Sequence, residues 1–76
     1  MREDDRKKFT ELASKRVNRT LKDIQLIGNL SNRSNYDYTD QDVSKIFKAL
    51  QDELSACRKR FEQASRRQAD TRFVLE

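Results

Sequence analysis

The sequence contains no proline, no histidine and no tryptophan, and it has one glycine and one cysteine among its 76 residues. Without proline, and with Gly28 as the only glycine, little interrupts an α-helix along most of the chain. A single cysteine excludes an intrachain disulfide, and the lack of histidine removes nearly every zinc-binding pattern. We therefore expect an almost wholly helical protein with no metal and no cofactor.

The same shortages argue against an enzyme. Histidine is the usual proton-transfer group at neutral pH, and Cys57 has no histidine to activate it. A phosphate loop needs more than one glycine. Cys57 falls on an apolar helix stripe, where we expect it to be a small buried packing residue. The sequence predicts a non-enzymatic binding protein without a small-molecule substrate.

Long hydrophobic runs are also missing. No segment could serve as a signal peptide or cross a bilayer, so we expect a cytoplasmic protein that does not enter a membrane. Charged residues make up 39% of the chain and hydrophobic residues 34%. That mixture favours disorder unless the apolar residues are periodic.

The apolar residues are periodic, at alternating steps of three and four. In the second half of the chain the repeat comprises Val43, Phe47, Leu50, Leu54, Cys57, Phe61 and Ala64. A looser repeat in the first half comprises Ala13, Val17, Thr20, Ile24 and Ile27. Each is the heptad spacing of a helix that packs along one seam. Because a chain of this length makes only a small core by itself, we expect oligomerisation.

The predicted fold is all-α, an antiparallel two-helix hairpin that forms a homodimer and thereby an antiparallel four-helix bundle. We expect a single helical-hairpin domain over 1–76. Its parts are helix 1 at about 4–28, a turn at about 29–38, helix 2 at about 40–70 and a frayed tail at 71–76.

Helix 2 has a clear start signal. Thr39 and Asp42 have the spacing of a shortened capping box, and Tyr38 and Val43 that of a hydrophobic staple. The end of helix 1 has two interpretations. Gly28 and Asn29 could end it in a left-handed conformation, or it continues to about Ser31 and Gly28 lets a neighbour approach closely.

Charge is distributed unevenly. Residues 1–22 carry eight basic and four acidic side chains. Residues 23–54 carry three basic and six acidic side chains, and residues 55–76 carry six basic and three acidic side chains. An antiparallel hairpin would gather the basic segments at one end and leave the turn acidic. Two hairpins with their turns at opposite ends would then attract each other.

One stripe of helix 1 carries the residue types that contact nucleic acid. It consists of Lys8, Lys15 and Lys22, one per heptad, flanked by Asn18, Arg19 and Gln25. Lysine and arginine neutralise phosphates, and amides can bond to base edges. The main hypothesis is RNA binding through this stripe. The alternative for the same residues is the ordinary solvated face of a soluble helix.

The turn offers a second candidate site. Turn chemistry accounts for most of "SNRSNYDYT", but not for Arg33, Asn35 and Tyr36. Arginine and tyrosine among amides are typical of protein-recognition surfaces. The alternative function is therefore a protein-binding adaptor or inhibitor encoded by a mobile element such as a phage or plasmid. It would use the turn and the exposed Leu12 or Leu26.

The stretch "DELSACRKRF", from Asp52 to Phe61, resembles a segment of the Rop family, the plasmid-encoded RNA-one modulators. The family segment has one more residue between its leucine and its cysteine. The resemblance implies a hairpin that dimerises into an antiparallel four-helix bundle. It also implies binding of paired RNA loops through helix 1, with Lys15, Asn18, Lys22 and Gln25 as polar contacts. The family also uses a phenylalanine on that stripe, whereas the only phenylalanine of helix 1 here is Phe9.

Overall fold

The structure, a computed structural model, describes residues 3–70, with side chains described as far as residue 66. It is all-α. Helix α1 spans Glu3–Gly28, a 3₁₀-helix follows at Asn29–Ser31, and helix α2 spans Asp40–Asp70. The prediction of an all-α chain with two helices is confirmed. The tail predicted at 71–76 lies outside the described residues.

Helix α1 has local polar features in its first turn and near its middle. Its first turn carries Glu3, Asp4 and Asp5, whose negative charges favour the positive end of the helix dipole. The hydroxyl of Thr20 donates to the carbonyl of Arg16 at 2.9 Å, so this mid-helix hydroxyl has an acceptor. These local contacts do not anchor α1 to any other element.

The end of α1 combines parts of the two interpretations: the α-helix ends at Gly28, and the helical turns continue as a 3₁₀-helix to Ser31. Its backbone has φ −59° and ψ −30°, and no described residue has a positive φ. The expectation of a left-handed stop at Gly28 is therefore wrong, and the chain tightens into a 3₁₀ turn that ends at Ser31. A Cβ built on Gly28 would meet no atom within 4 Å. No neighbour among residues 3–70 requires a glycine there.

Asn32 organises the turn that follows. Its side-chain oxygen accepts from both the backbone N–H and the hydroxyl of Ser34. Its backbone carbonyl accepts from the N–H groups of Asn35 at 3.1 Å and Tyr36 at 3.0 Å. Because these bonds are local, the turn is ordered by its own polar groups.

Helix α2 begins with the capping box that the sequence predicts. The N–H of Asp42 donates to the hydroxyl of Thr39 at 3.1 Å, and the N–H of Thr39 donates to the carboxylate of Asp42 at 2.9 Å. Tyr38 and Val43, the two staple positions, are both half-buried. The cap satisfies amides that the first helical turn leaves without helical acceptors.

Removal of this cap should destabilise α2 measurably. We expect Thr39→Ala to lower the free energy of unfolding by about 1 kcal/mol, because the amide of Asp42 loses its side-chain acceptor. Thermal denaturation followed by circular dichroism measures the change. Ser55→Ala, an exposed substitution within α2, is the matched control and should move the midpoint much less. Equal midpoints for the two variants would contradict the role of the cap.

The chain divides into two units, Met1–Asp37 and Tyr38–Glu76. No described residue of either unit is buried, and so neither has a core of its own. Cys57 is exposed. The expectation that Cys57 is buried by packing is therefore wrong for the single chain. Two amphipathic helices without a buried side chain need another surface to cover their apolar faces.

Candidate interaction surfaces

The three lysines of α1 form a straight row. At 100° and 1.5 Å per residue, Lys8, Lys15 and Lys22 fall within an arc of about 40° and span about 21 Å of the helix. All three are exposed. The structure therefore places them together on one face, which we call the basic stripe with its flanking residues Asn18, Arg19 and Gln25.

The flanking residues lie in two columns beside the lysines. Asn18 and Gln25 are one heptad apart on one side, and Arg19 lies on the other, at helical angles that keep all six side chains within about 120°. Each is exposed. No acidic residue occurs between Glu11 and Asp23, so the middle of the stripe has no carboxylate within its own segment.

The apolar face of α1 is on the opposite side of the helix. Val17 and Ile24 lie about 160° to 180° around the axis from Lys15. Both side chains are exposed in the structure, Val17 at 54%. A partner that covered this apolar face would therefore leave the basic stripe accessible.

Two leucines lie in the Arg19 column of the basic stripe rather than on the apolar face. Leu12 and Leu26 are each one heptad from Arg19, so the three share a column along the helix. Leu12 is 41% exposed and Leu26 53% exposed. In the sequence, Leu12 and Leu26 stand out only because they fall outside the heptad repeat of helix 1. Their spacing of seven residues on either side of Arg19 places all three in one column along the helix.

The second candidate site lies between the 3₁₀-helix and α2. Arg33, Asn35 and Tyr36 are all exposed, and Tyr36 is 48% exposed. The amides of Asn35 and Tyr36 are held by the carbonyl of Asn32. This arrangement presents an exposed tyrosine on a turn that local hydrogen bonds order.

The apolar face of α2 consists of Val43, Phe47, Leu50, Leu54, Cys57, Phe61 and Ala64. The seven positions fall within an arc of about 100° over about 31 Å of helix. Val43 and Leu50 are half-buried, and the other five are exposed. Charged residues lie on the other faces of α2. One example is Lys48, whose Nζ forms an ion pair with the carboxylate of Asp52 at 3.0 Å.

Neither described helix is apolar over a length sufficient to cross a bilayer. Among the described residues, no three Asp, Glu or Cys side chains are placed to hold a metal ion.

The fold and these surfaces define a class: a small two-helix protein with exposed apolar faces. Comparison with protein-family models, curated proteins and solved structures found no match.

Proposed function

We propose that the chain is a small, non-enzymatic regulatory protein of the cytoplasm that self-associates through its apolar faces and binds RNA through the basic stripe of α1. The observation that carries the RNA proposal is the grouping of six exposed polar and basic side chains on one face of α1. This face is opposite the apolar face of the same helix.

Self-association follows from the energetics of the single chain. A fully buried leucine or phenylalanine contributes roughly 1.5 to 3 kcal/mol, and the described residues include none that is buried. We propose that α1 and α2 form an antiparallel hairpin, and that two hairpins form an antiparallel four-helix bundle. In that bundle both apolar faces become core, and the bundle brings two basic stripes to its surface.

Electrostatic capture is the proposed mechanism of RNA binding. The cations of the stripe displace counterions from the phosphates, and the amides of Asn18 and Gln25 are placed beside them to bond to sugar or base edges. Rows of exposed cations on a rigid helix favour an RNA of defined shape, because they cannot follow a flexible strand.

The experiment is a salt titration of the full-length protein with a labelled pair of complementary RNA stem-loops. We expect the logarithm of the association constant to fall linearly with the logarithm of salt concentration. An unpaired RNA of the same length is the control and should bind more weakly. Absence of binding at low salt would contradict the proposal.

A second candidate function is protein binding through the turn, which the exposed ring of Tyr36 on an ordered turn favours. In that case Arg33→Ala and Tyr36→Ala should each abolish capture of a protein partner, because truncation removes the two side chains that most often dominate such interfaces. Capture from cell extract, followed by identification of the retained protein, measures the loss.

The control for the turn variants is Asp37→Ala, a neighbouring exposed position. Unchanged helical circular dichroism in all three variants would show that the fold is intact. Equal retention of the partner by wild type and the Tyr36 variant would exclude the turn as its binding site.

A further inference from the structure

The apolar face of α2 is the most regular uncovered surface of the described chain. Phe47 is 52% exposed, Leu54 65% and Phe61 59%, although each is a residue type that usually lies in a core. The face covers about 100° of the helix over about 31 Å, so a partner helix can pack along its whole length. Its occupant can be inferred from the charges along α2.

Helix α2 is acidic in its first half and basic in its second. Residues 40–54 contain four carboxylates and two lysines, whereas residues 55–70 contain five basic and two acidic residues. A second α2 in antiparallel orientation places each acidic half beside a basic half. It also opposes the two helix dipoles favourably. The helix is therefore complementary to an inverted copy of itself.

We propose that α2 packs antiparallel on α2 of a second copy of this chain, in the register set by Glu53 and Arg60. The proposal rests on the proposed self-association and names the helix and the alignment that produce it. It concerns the apolar face of α2 alone, and it leaves the basic stripe of α1 accessible.

The register follows from the heptad. In an antiparallel pair, each a position of one helix lies in a layer with a d position of the other. One alignment brings Phe47 to Ala64, Leu50 to Phe61 and Leu54 to Cys57 of the second copy, and each layer occurs twice by symmetry. Two of these three layers match a large side chain with a small one, and facing positions that alternate in size interdigitate well.

The charges at the g positions favour this alignment over the one shifted by one heptad. The g positions flank the apolar face on one side, and in this register Glu53 lies beside Arg60 of the second copy, twice per dimer. A shift by one heptad places Glu53 beside Glu53 of the second copy, where like charges repel. The same alignment accounts for Cys57, whose small exposed side chain lies opposite Leu54.

A charge-reversal series on the full-length protein tests the proposal, with dimer dissociation measured by sedimentation equilibrium at low ionic strength. We expect Arg60→Glu and Glu53→Arg each to raise the dissociation constant about tenfold, because two attractive pairs per dimer become repulsive. The double variant E53R/R60E exchanges the charges and should return close to the wild-type value.

Lys59→Glu is the matched control, since it makes the same change of charge at the adjacent exposed position, away from the apolar face. It should leave the dissociation constant nearly unchanged. Failure of the double variant to restore association would overturn the antiparallel register, because a parallel pair aligns Glu53 with Arg58 instead. If the variants dimerise as tightly as wild type, the proposed α2–α2 interface is wrong, but the proposed self-association is not contradicted. If the wild-type protein is monomeric, both proposals are wrong.

Discussion

A single carboxylate on the apolar face of α2 should prevent assembly. We expect Leu54→Asp to convert the protein to a monomer and to abolish its cooperative thermal unfolding. Leu54 is the most exposed large apolar residue among those that the structure describes, at 65%, and lies at the middle of the apolar face. If that face is the core of an assembly, the substitution puts an unpaired charge in its centre.

The expected size of this effect comes from burial. Loss of one buried leucine costs roughly 1.5 to 3 kcal/mol, and a dimer loses two, or about 3 to 6 kcal/mol. Desolvation of the two new carboxylates adds to that cost. The dissociation constant should therefore rise at least about 100-fold. Helix content should fall as well, because amphipathic helices depend on the burial of one face.

Leu26→Asp is the control for this experiment. It makes the same substitution at another leucine, 53% exposed, which lies about 160° from Ile24 on α1 and close to the line of the lysines. Sedimentation equilibrium and circular dichroism of the two variants should separate them, with Leu26→Asp still associated. A Leu54 variant that remains associated and fully helical would show that the apolar face of α2 is not a core.

The second large effect concerns RNA. We expect the double variant K15A/K22A to lose most RNA binding at moderate salt and to show a shallower salt dependence. Each phosphate contact contributes about 0.7 to 0.9 to the slope of log K against log salt. Two lost contacts should therefore reduce the slope by about 1.4 to 1.8, and by more if both copies contact one RNA. Fluorescence anisotropy at four or more salt concentrations measures it.

The matched control for this series is K45A/K59A. It removes two exposed lysines from α2 and makes the same change in net charge. If the stripe of α1 binds the RNA, only K15A/K22A changes the slope strongly. Equal slopes for the two double variants would show that binding depends on total charge and not on the stripe. Sedimentation of both variants would establish that neither change acts through assembly.

The local elements could be predicted because their causes are local. The lack of proline, the heptads and the spacing of Thr39 and Asp42 act within a few residues, and the structure contains two helices and the capping box. The end of α1 was less predictable. Gly28 permits a left-handed conformation but does not require one, and the chain takes a 3₁₀ turn to Ser31 instead.

The position of the candidate sites could be predicted in the same way, since a column of exposed residues on one helix depends only on the helical repeat. Lys8, Lys15 and Lys22 are in one row for that reason. Burial could not be predicted. Cys57 has the heptad position of a core residue and yet is exposed, because a position on an apolar face becomes buried only when another surface covers it.

The sequence by itself determined that the chain is helical, where α2 is capped, and which residues share each face. These properties depend on backbone hydrogen bonds and side-chain spacing within one segment. Only the tertiary structure decided that no described side chain is buried in the single chain, so that the apolar faces of both helices are surfaces. Burial depends on contacts between segments distant in sequence or between molecules, which spacing along one helix does not specify.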